Sequence, residues 1–500
     1  MTESSDSRTV ARAASVNLLG MVARSSRILV TVFVTKVSGP AVFGLFTLAL
    51  AVIDIVGRLA LFGMDKSVLK FVPEKKDESR DHQHRTLSAA FAIAVALGVL
   101  LTVLLVVLAP WIAGRWLDEP GVALPLRVVA ASLLPMTLLT LFLAATKALK
   151  IMSYDAFVTG MFLPASLLAM AVPILWADDD LLVLAWAYTG STVAGLGVSA
   201  WFFRRHFSLG RAFSAPDRGS LGAMLRFSTP LGLHDFVQFL STKLEIFILA
   251  VFVTPAELGV YALAAEMANV IRKFRQVFDP ILIPLMSEAH DLADWVRLRA
   301  HVSRVVRWVL TLGALYVGMM ALFPREILGL FGDEFVAGVT VLLLLCGSQL
   351  LNTGTGLLDM AMLASGRPRI NLQNVTLILV TQTTLNLLLI PRYGLVGAGM
   401  AAVAAYALVS VVRLLQTVRM LGLQPFDASH LKPLLAAAGA AGAVTLVHRL
   451  PGVGTSSLAW IPLLAAYVAV YAGLLRGMGF EDEDRALLQA VLRRRKQNAG

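Results

Sequence analysis

The sequence predicts an all-α polytopic membrane protein with about 14 transmembrane helices. Three observations predict this fold class: 57% of the 500 residues are hydrophobic, only 15% are charged, and apolar runs of about twenty residues recur from end to end. A soluble domain carries about 25% charged residues, whereas a helix of about twenty residues crosses a hydrocarbon core ~30 Å thick. We therefore expect the lipid bilayer to be the main solvent of this chain.

The apolar runs define two pseudo-symmetric six-helix lobes followed by two C-terminal helices. No short apolar segment with a cleavage site follows the polar, Ser-rich N-terminus, so we expect no removable signal peptide. The predicted domains are an N-tail at 1–13, an N-lobe at 14–203, a linker at 204–225, a C-lobe at 226–417, a helix pair at 431–475 and a C-tail at 476–500. The predicted spans are 14–36, 41–63, 87–109, 123–144, 156–176, 181–203, 226–252, 257–283, 305–323, 336–358, 371–390, 395–412, 433–448 and 457–475.

Lysine and arginine residues are distributed unevenly between the two sides of the predicted bundle. Most of the 43 lie in the two tails and in the connections after even-numbered spans. By the positive-inside rule, this side is the cytoplasmic side of a cell (inner) membrane, and both termini lie there. The net charge of +11 follows this topology without forming a clustered basic face, so we expect no nucleic-acid partner. The six basic residues on the opposite side are Lys36, Arg115, Arg127, Arg325, Arg392 and Arg449.

An internal repeat links the turn between spans 1 and 2 to the turn between spans 7 and 8. At an offset of 215 residues Pro40 matches Pro255 and Gly44 matches Gly259, and several alanine and leucine positions also agree. Six spans separate the copies, so the copies share one orientation. Parallel repeats of this kind are a transporter plan, with the solute site between the halves near the bilayer midplane. The alternative is that proline, glycine and alanine recur at any helix turn.

Charged residues at bilayer depth are the candidate functional residues, because each costs at least ~2.5 kcal/mol to insert and normally faces a cavity or a partner. Arg24 lies about ten residues into span 1, roughly 15 Å deep, and Arg27 follows one turn later on the same face. On span 2, the i,i+4 spacing of Asp54 and Arg58 is suited to an ion pair.

Spans 7 and 8 carry a second charged group. The repeat aligns Arg58 with Lys273 and Asp54 with Asn269, so a basic residue lies at matching places in both halves. The charged residues of these two spans that we single out are Asp235, Lys243, Glu245, Glu266, Arg272 and Lys273.

Two interpretations of these charges remain open. In the functional one, Arg24, Arg27, Arg58, Arg272 and Lys273 line a water-filled cavity and bind phosphate, which guanidinium groups hold bidentately. In the structural one, they are cytoplasmic anchors or helix–helix salt bridges. The candidate ion-coupling carboxylates are Asp54, Glu245 and Glu266, since a desolvated carboxylate can bind a proton or Na+; simple pairing of Glu245 or Glu266 with Lys243 or Arg272 is the alternative.

Signals for enzyme chemistry are weak. The chain has no phosphate-binding Walker loop. His82 and His84 lack companion metal ligands, and the acidic run Asp178–Asp180 is more typical of a solvated loop than of a metal-bound sugar diphosphate site. We therefore expect no catalytic residue, no metal and no cofactor beyond a coupling H+ or Na+.

Several motifs resemble the polysaccharide (O-antigen type) flippases of the multidrug/oligosaccharidyl-lipid/polysaccharide exporter superfamily. The stretch from Val37 to Pro73 is similar to the opening helix pair of that family, and TPAELGVYALA from Thr254 to Ala264 resembles the start of its second half. The strings FPREILGLFGDEF, SGRPRINL and LLLIPRYGLVGAG between 323 and 399 resemble its C-terminal part. The resemblance covers roughly residues 14–421.

The resemblance implies a function. Members of this family carry a polyprenyl-diphosphate-linked oligosaccharide across the cytoplasmic membrane by rocking two lobes, for surface polysaccharides such as the O-antigen of lipopolysaccharide. It also implies cavity arginines on helices comparable to those of Arg24, Arg27, Arg58 and Arg272, an acid in span 7 at Glu245, and lipid-linked oligosaccharide, membrane lipids and other assembly proteins as partners. The alternatives are an ion-driven drug antiporter of the same superfamily and a membrane glycan polymerase or glycosyltransferase.

Overall fold

The computed structural model describes residues 26–73, 80–116, 119–276, 295–365, 367–422, 424, 426–449 and 460–478. These residues form helices joined by short turns, and none of them lies in a β-strand. Ten of the described helices are long and apolar enough to cross a membrane. The predicted all-α, multi-pass membrane fold is confirmed, and the number of fourteen spans stays a prediction.

The described α-helices are numbered along the chain, and short 3₁₀ or π segments extend several of them. The first ten are α1 (Ser26–Leu61), α2 (Met64–Phe71), α3 (Arg80–Trp111), α4 (Ala123–Ala130), α5 (Leu133–Ala148), α6 (Ser153–Phe157), α7 (Leu163–Ala171), α8 (Asp180–Arg204), α9 (Leu209–Ala212) and α10 (Arg218–Phe252). The others are α11 (Pro255–Gln276), α12 (Trp295–Leu322), α13 (Pro324–Gly329), α14 (Val339–Ala364), α15 (Pro368–Leu421), α16 (Leu431–His448) and α17 (Trp460–Gly477).

Two of these helices each run across the predicted break between two spans. Within α1, Gly39 has φ 71° and is followed by Pro40, so the helix direction changes there without an intervening loop. Within α15, Gly394 has φ 55° and follows Pro391 by three residues. Both glycines occupy a backbone region that other residues adopt at a cost, and proline removes an internal hydrogen bond. The predicted breaks between spans 1 and 2 and between spans 11 and 12 coincide with these kinks.

Helices α10 and α11 correspond to predicted spans 7 and 8, and both are interrupted by charged and polar side chains. Neither is among the ten strongly apolar helices. The start of α11 is fixed by a capping box: the Thr254 hydroxyl accepts from the Glu257 backbone N–H at 3.3 Å, and the Glu257 carboxylate accepts from the Thr254 N–H at 2.9 Å. Pro255 occupies the first helical position, where its missing N–H costs nothing.

Backbone contacts divide the chain into two compact units. The first comprises Met1–Ala264, Leu330–Gly338 and Ile378–Ala401. The second comprises Ala265–Gly329, Val339–Leu377 and Ala402–Gly500. These units follow contact density, whereas the predicted lobes follow the repeat, so the lobe boundaries stay a prediction.

In the first unit, aromatic rings of the connection between α8 and α10 pack against rings of neighbouring helices. Phe203 lies 5.1 Å from Phe207 and 4.8 Å from Phe142, centroid to centroid, and Phe213 lies 5.1 Å from Phe91. Ring pairs at these separations contribute ~0.5–1.5 kcal/mol each beyond their buried area. The linker predicted at 204–225 is therefore packed against α8 through Phe207 and against α3 through Phe213.

Candidate functional site

The structure does not place two of the predicted phosphate-binding residues. Arg24 lies outside the described residues. Arg27 is the second residue of α1, and its side chain also lies outside the described part. Their roles stay predictions.

A row of charged and aromatic side chains joins α1 and α2 to α10 within the first unit. Asp54 Oδ2 lies 3.1 Å from Lys243 Nζ, and each side chain is 26% exposed. The sequence spacing had indicated a pair between Asp54 and Arg58 on one helix; the structure corrects this, because the described partner of Asp54 comes from α10. An ammonium group on the facing helix approaches the carboxylate directly, whereas Arg58 points to a different neighbour.

That neighbour is an aromatic ring. The guanidinium carbon of Arg58 lies 4.2 Å from the centroid of Phe239, one turn before Lys243 on α10. A cation over a ring face is stabilised by ~0.5–2 kcal/mol, and the N–H groups at the guanidinium edge keep their capacity to donate. Among the described residues, no carboxylate forms an ion pair with Arg58.

The same row continues toward the C-terminal end of α2. Lys66 forms an ion pair with Asp235, and Lys70 Nζ lies 4.1 Å from the centroid of Phe227. Positions rise along α1 and α2 while their partners fall along α10, so the elements run antiparallel. We call this row the charged seam; its members are Asp54, Arg58, Lys66, Lys70, Phe227, Asp235, Phe239 and Lys243. It holds four basic and two acidic groups, a positive excess within a membrane-spanning bundle.

The candidate ion-coupling acid of span 7 has a buried amide partner in the first unit. Gln382 donates from Nε2 to Glu245 Oε2 at 2.6 Å. Gln382 is 8% exposed, and Asn386, one turn later on α15, is 1% exposed. The sequence interpretation missed both amides. Polar side chains in the otherwise apolar run of span 11 were the signal that could have found them.

The second unit contains the predicted basic group of span 8. Lys273 Nζ lies 3.4 Å from Glu266 Oε1, with both side chains more than 40% exposed. Lys273 is thus a described ion-pair partner of Glu266, whereas the sequence predicts pairing with Lys243 or Arg272. Asn269, the repeat counterpart of Asp54, accepts from Gln349 Nε2 at 3.3 Å.

A buried ion pair in the second unit was not foreseen. Arg413 Nη2 lies 2.6 Å from Asp359 Oδ2, and the two side chains are 5% and 10% exposed. Asn374 donates to Asp359 at 2.9 Å, and Asn352 accepts from Arg413 at 3.1 Å. These side chains join α14 to both halves of α15. Removing one member of such a pair leaves a buried charge and costs ~3–5 kcal/mol. We therefore interpret the cluster as a structural contact that stabilises the packing of α14 against α15.

The repeat-related glycines meet in the first unit. A Cβ on Gly44 would lie closer than 3.0 Å to the carbonyl oxygen of Pro255, and a Cβ on Gly259 would lie closer than 3.0 Å to that of Pro40. The two contacts are reciprocal: each glycine accommodates the proline carbonyl of the other copy. Small residues of this kind let helix backbones approach closely in membranes.

The acidic run at 178–180 has a structural role. Asp179 accepts from the backbone N–H of Leu182 at 2.9 Å and so caps the N-terminus of α8. In the part of the chain that the structure describes, no group of three or more His, Cys, Asp or Glu side chains is arranged to hold a metal ion.

The fold and the charged seam define a multi-pass α-helical membrane protein with ionisable groups inside its bundle. The chain belongs to the polysaccharide biosynthesis protein family, whose model matches residues 10–290. The family resemblance seen in the sequence is confirmed.

A curated relative and two solved structures are similar to this chain. The "probable low-salt glycan biosynthesis flippase Agl15" of Haloferax volcanii is 22% identical over 247 residues, which are 48% of this chain and 52% of the relative. The chain thus matches about half the length of that relative. The lipid II flippase MurJ in an inward closed conformation shares the fold with a TM-score of 0.71 at 11% identity, over 91% of this chain and 98% of MurJ. An inward-facing MATE family multidrug resistance transporter of the MOP superfamily matches with a TM-score of 0.69 at 15% identity, over 80% of this chain and 94% of the transporter.

Proposed function

We propose that this protein is a flippase that translocates a polyprenyl-diphosphate-linked oligosaccharide across the cytoplasmic membrane by alternating access, for surface polysaccharide biosynthesis. The observation that carries the proposal is the guanidinium of Arg58, held at 4.2 Å over Phe239 inside a seam with an excess of positive charge. Family membership and the glycan flippase relative support the same function. In this proposal the cell membrane is the inner membrane, with both termini in the cytoplasm.

The anionic diphosphate explains the choice of side chains. Guanidinium groups donate two parallel hydrogen bonds to phosphate, so Arg58 together with Arg24, Arg27 and Arg272 is suited to a diphosphate, and Lys273 adds a point charge. In the seam, phosphate oxygens compete with Asp54 and Asp235 for their lysine partners. Substrate binding would then weaken the contacts that hold α1 and α2 against α10. No bond is made or broken in this cycle, so the protein is not an enzyme.

The test is transport of a labelled lipid-linked oligosaccharide in proteoliposomes. We expect Arg58→Ala to weaken substrate binding about 30-fold, because a hydrogen bond to a charged group contributes ~1.5–3 kcal/mol and 1.4 kcal/mol is a factor of ten. Arg58→Lys should retain part of the activity. The matched control is Arg115→Ala, an exposed arginine of the π-helical turn Ile112–Trp116. Wild-type transport by Arg58→Ala at equal protein level would refute the diphosphate site.

A second candidate is an ion-coupled multidrug exporter, which the MATE fold match and the Glu245 carboxylate favour. It predicts drug sensitivity and normal surface glycan when the protein is deleted. The flippase predicts the reverse, namely loss of surface glycan and unchanged drug tolerance. A membrane glycan polymerase or glycosyltransferase would instead transfer sugar when purified in detergent.

A further inference from the structure

The outer face of α8 carries an exposed apolar stripe that ends in two arginines. Trp186, Val193 and Trp201 are 61%, 50% and 53% exposed, and at 3.6 residues per turn they lie on one face of the helix. Arg204 ends the helix on the same face and Arg205 follows it, and both are exposed. The positive-inside rule assigns this end of α8 to the cytoplasmic side.

A stack of aromatic rings holds the guanidinium group of Arg205 at the end of this stripe. Its carbon atom lies 3.7 Å from the ring centroid of Trp201, one turn earlier. Phe202 lies 5.0 Å from Trp201 and 4.1 Å from Tyr154 of α6, centroid to centroid. The Tyr154 hydroxyl lies 3.4 Å from His206 Nε2, which joins α6 to the end of α8. Because a cation is attracted to the face of a ring, the guanidinium group is positioned before a ligand binds, and this lowers the entropic cost of binding.

The charge of the two arginines is not compensated by the described side chains around them. Neither Arg204 nor Arg205 forms an ion pair or a side-chain hydrogen bond with a residue that the structure describes. Between 146 and 216, a stretch described without a gap, the sequence holds four acidic residues. Three form the run 178–180 at the opposite end of α8, roughly 37 Å away, and the fourth, Asp155, pairs with Lys147 at 3.4 Å. The end of α8 therefore offers two guanidinium groups to an anion.

The surface next to these arginines is suited to a hydrocarbon chain. The apolar stripe extends for about 22 Å from Trp186 to Trp201. Phe157 of α6 is 43% exposed and lies 6.1 Å from Phe202, so it widens the apolar surface near the arginines. Tryptophan is enriched where a membrane meets water, which places Trp201 at the level of the headgroups. A lipid with a negative headgroup can contact the arginines and the stripe together, whereas a soluble anion contacts the arginines alone.

We propose that the end of α8 is a binding site for an anionic phospholipid. The headgroup phosphate is held by Arg204 and Arg205, and an acyl chain lies along the stripe that begins at Trp201. Guanidinium groups donate paired hydrogen bonds to phosphate oxygens, and basic residues at the cytoplasmic surface attract anionic lipids. The site does not depend on the proposed transport function, since none of its residues belongs to the charged seam and its lipid stays in one leaflet.

The experiment uses the full-length protein purified in detergent and compares R204Q/R205Q with R369Q/R419Q. The control removes two exposed arginines near the ends of α15, on the same predicted side of the membrane. Native mass spectrometry measures the phosphatidylglycerol and the phosphatidylcholine retained from an equal mixture. We expect the wild-type protein to prefer phosphatidylglycerol and R369Q/R419Q to match it. R204Q/R205Q should bind phosphatidylglycerol about 30-fold more weakly, since two basic contacts with the headgroup are lost.

Each outcome decides the proposal. A loss of phosphatidylglycerol that is confined to R204Q/R205Q supports the site. Equal retention of phosphatidylglycerol by the two double variants overturns it, as does equal retention of both lipids by the wild-type protein. Thermal unfolding with inorganic phosphate tests the soluble anion: stabilisation that R204Q/R205Q loses while its lipid retention is unchanged overturns the lipid site. If the double variant does not fold, Arg205→Gln replaces it, and unchanged retention by that variant likewise overturns the proposal.

Discussion

The ion pair between Asp54 and Lys243 gives the sharpest test of the seam. Both side chains are 26% exposed and their charged atoms lie 3.1 Å apart. Exposed pairs contribute ~0.2–1 kcal/mol, while breaking a buried pair costs ~3–5 kcal/mol. A pair that is mostly but not fully buried should fall between these limits, at about 2 kcal/mol. That value corresponds to about a 30-fold change in an equilibrium constant.

The perturbation is a charge swap. We expect Asp54→Lys and Lys243→Asp each to destabilise the protein, because each places two like charges side by side, and we expect the double variant D54K/K243D to recover most of the loss. Reversible unfolding in mixed micelles measures the coupling free energy through the double-mutant cycle. A coupling energy below ~0.5 kcal/mol would show that the two residues act independently and would refute the reasoning.

A second ion pair provides a matched control for transport. Lys147 Nζ lies 3.4 Å from Asp155 Oδ1, with exposures of 27% and 26%, but it joins α5 to α6 and does not touch α10. Lys147→Asp should therefore lower the free energy of unfolding by about as much as Asp54→Lys does. If substrate binding loosens the seam, Asp54→Lys will change the transport rate at equal protein level and Lys147→Asp will not. Equal transport by the two variants would contradict a role of the seam in the cycle.

Two further predictions concern the helix contact and the coupling acid. Gly44→Val should destabilise the protein by ~1–3 kcal/mol, because its Cβ would collide with the Pro255 carbonyl. The control is Gly197→Val in α8, where a Cβ meets nothing within 4 Å. Thermal unfolding compares the two variants, and an equal loss of stability in both would contradict the close approach. Glu245→Gln should keep the hydrogen bond from Gln382 while removing the charge. If Glu245 couples transport to an ion, the variant will lose its response to imposed proton or sodium gradients in proteoliposomes, and an unchanged response would exclude that role.

The sequence predicted the fold well because membrane insertion acts on local composition. Each long apolar run must satisfy its own backbone hydrogen bonds in lipid, so it forms a helix whatever its neighbours are. The signals that specify the turns are equally local. Gly39 and Pro40 end the first span, and Thr254, Pro255 and Glu257 cap the eighth. Such signals depend on a few adjacent residues and can be recognised without a structure.

The partners of the charged residues were not predictable in the same way. Spacing along one helix suggested that Asp54 pairs with Arg58, because a single helix specifies only contacts between near neighbours such as i,i+3 and i,i+4 positions. The partner found in the structure, Lys243, is 189 positions away. Its approach depends on the register of α10 against α1, which is set by packing along the whole seam. The hydrogen bond between Glu245 and Gln382 escaped prediction for the same reason.

The internal repeat relates two glycine–proline pairs that lie in contact in the structure. An offset of 215 residues pairs Gly44 with Gly259 and Pro40 with Pro255, but corresponding residues of two repeats can lie anywhere relative to each other. Here Gly44 lies against the carbonyl of Pro255, and Gly259 lies against the carbonyl of Pro40. In a two-fold arrangement, only residues beside the axis can contact their own counterparts. A two-fold axis relating the two predicted repeats would pass between α1 and the start of α11; the reciprocal contact is the geometry that such a repeat predicts, and the repeat itself stays a prediction.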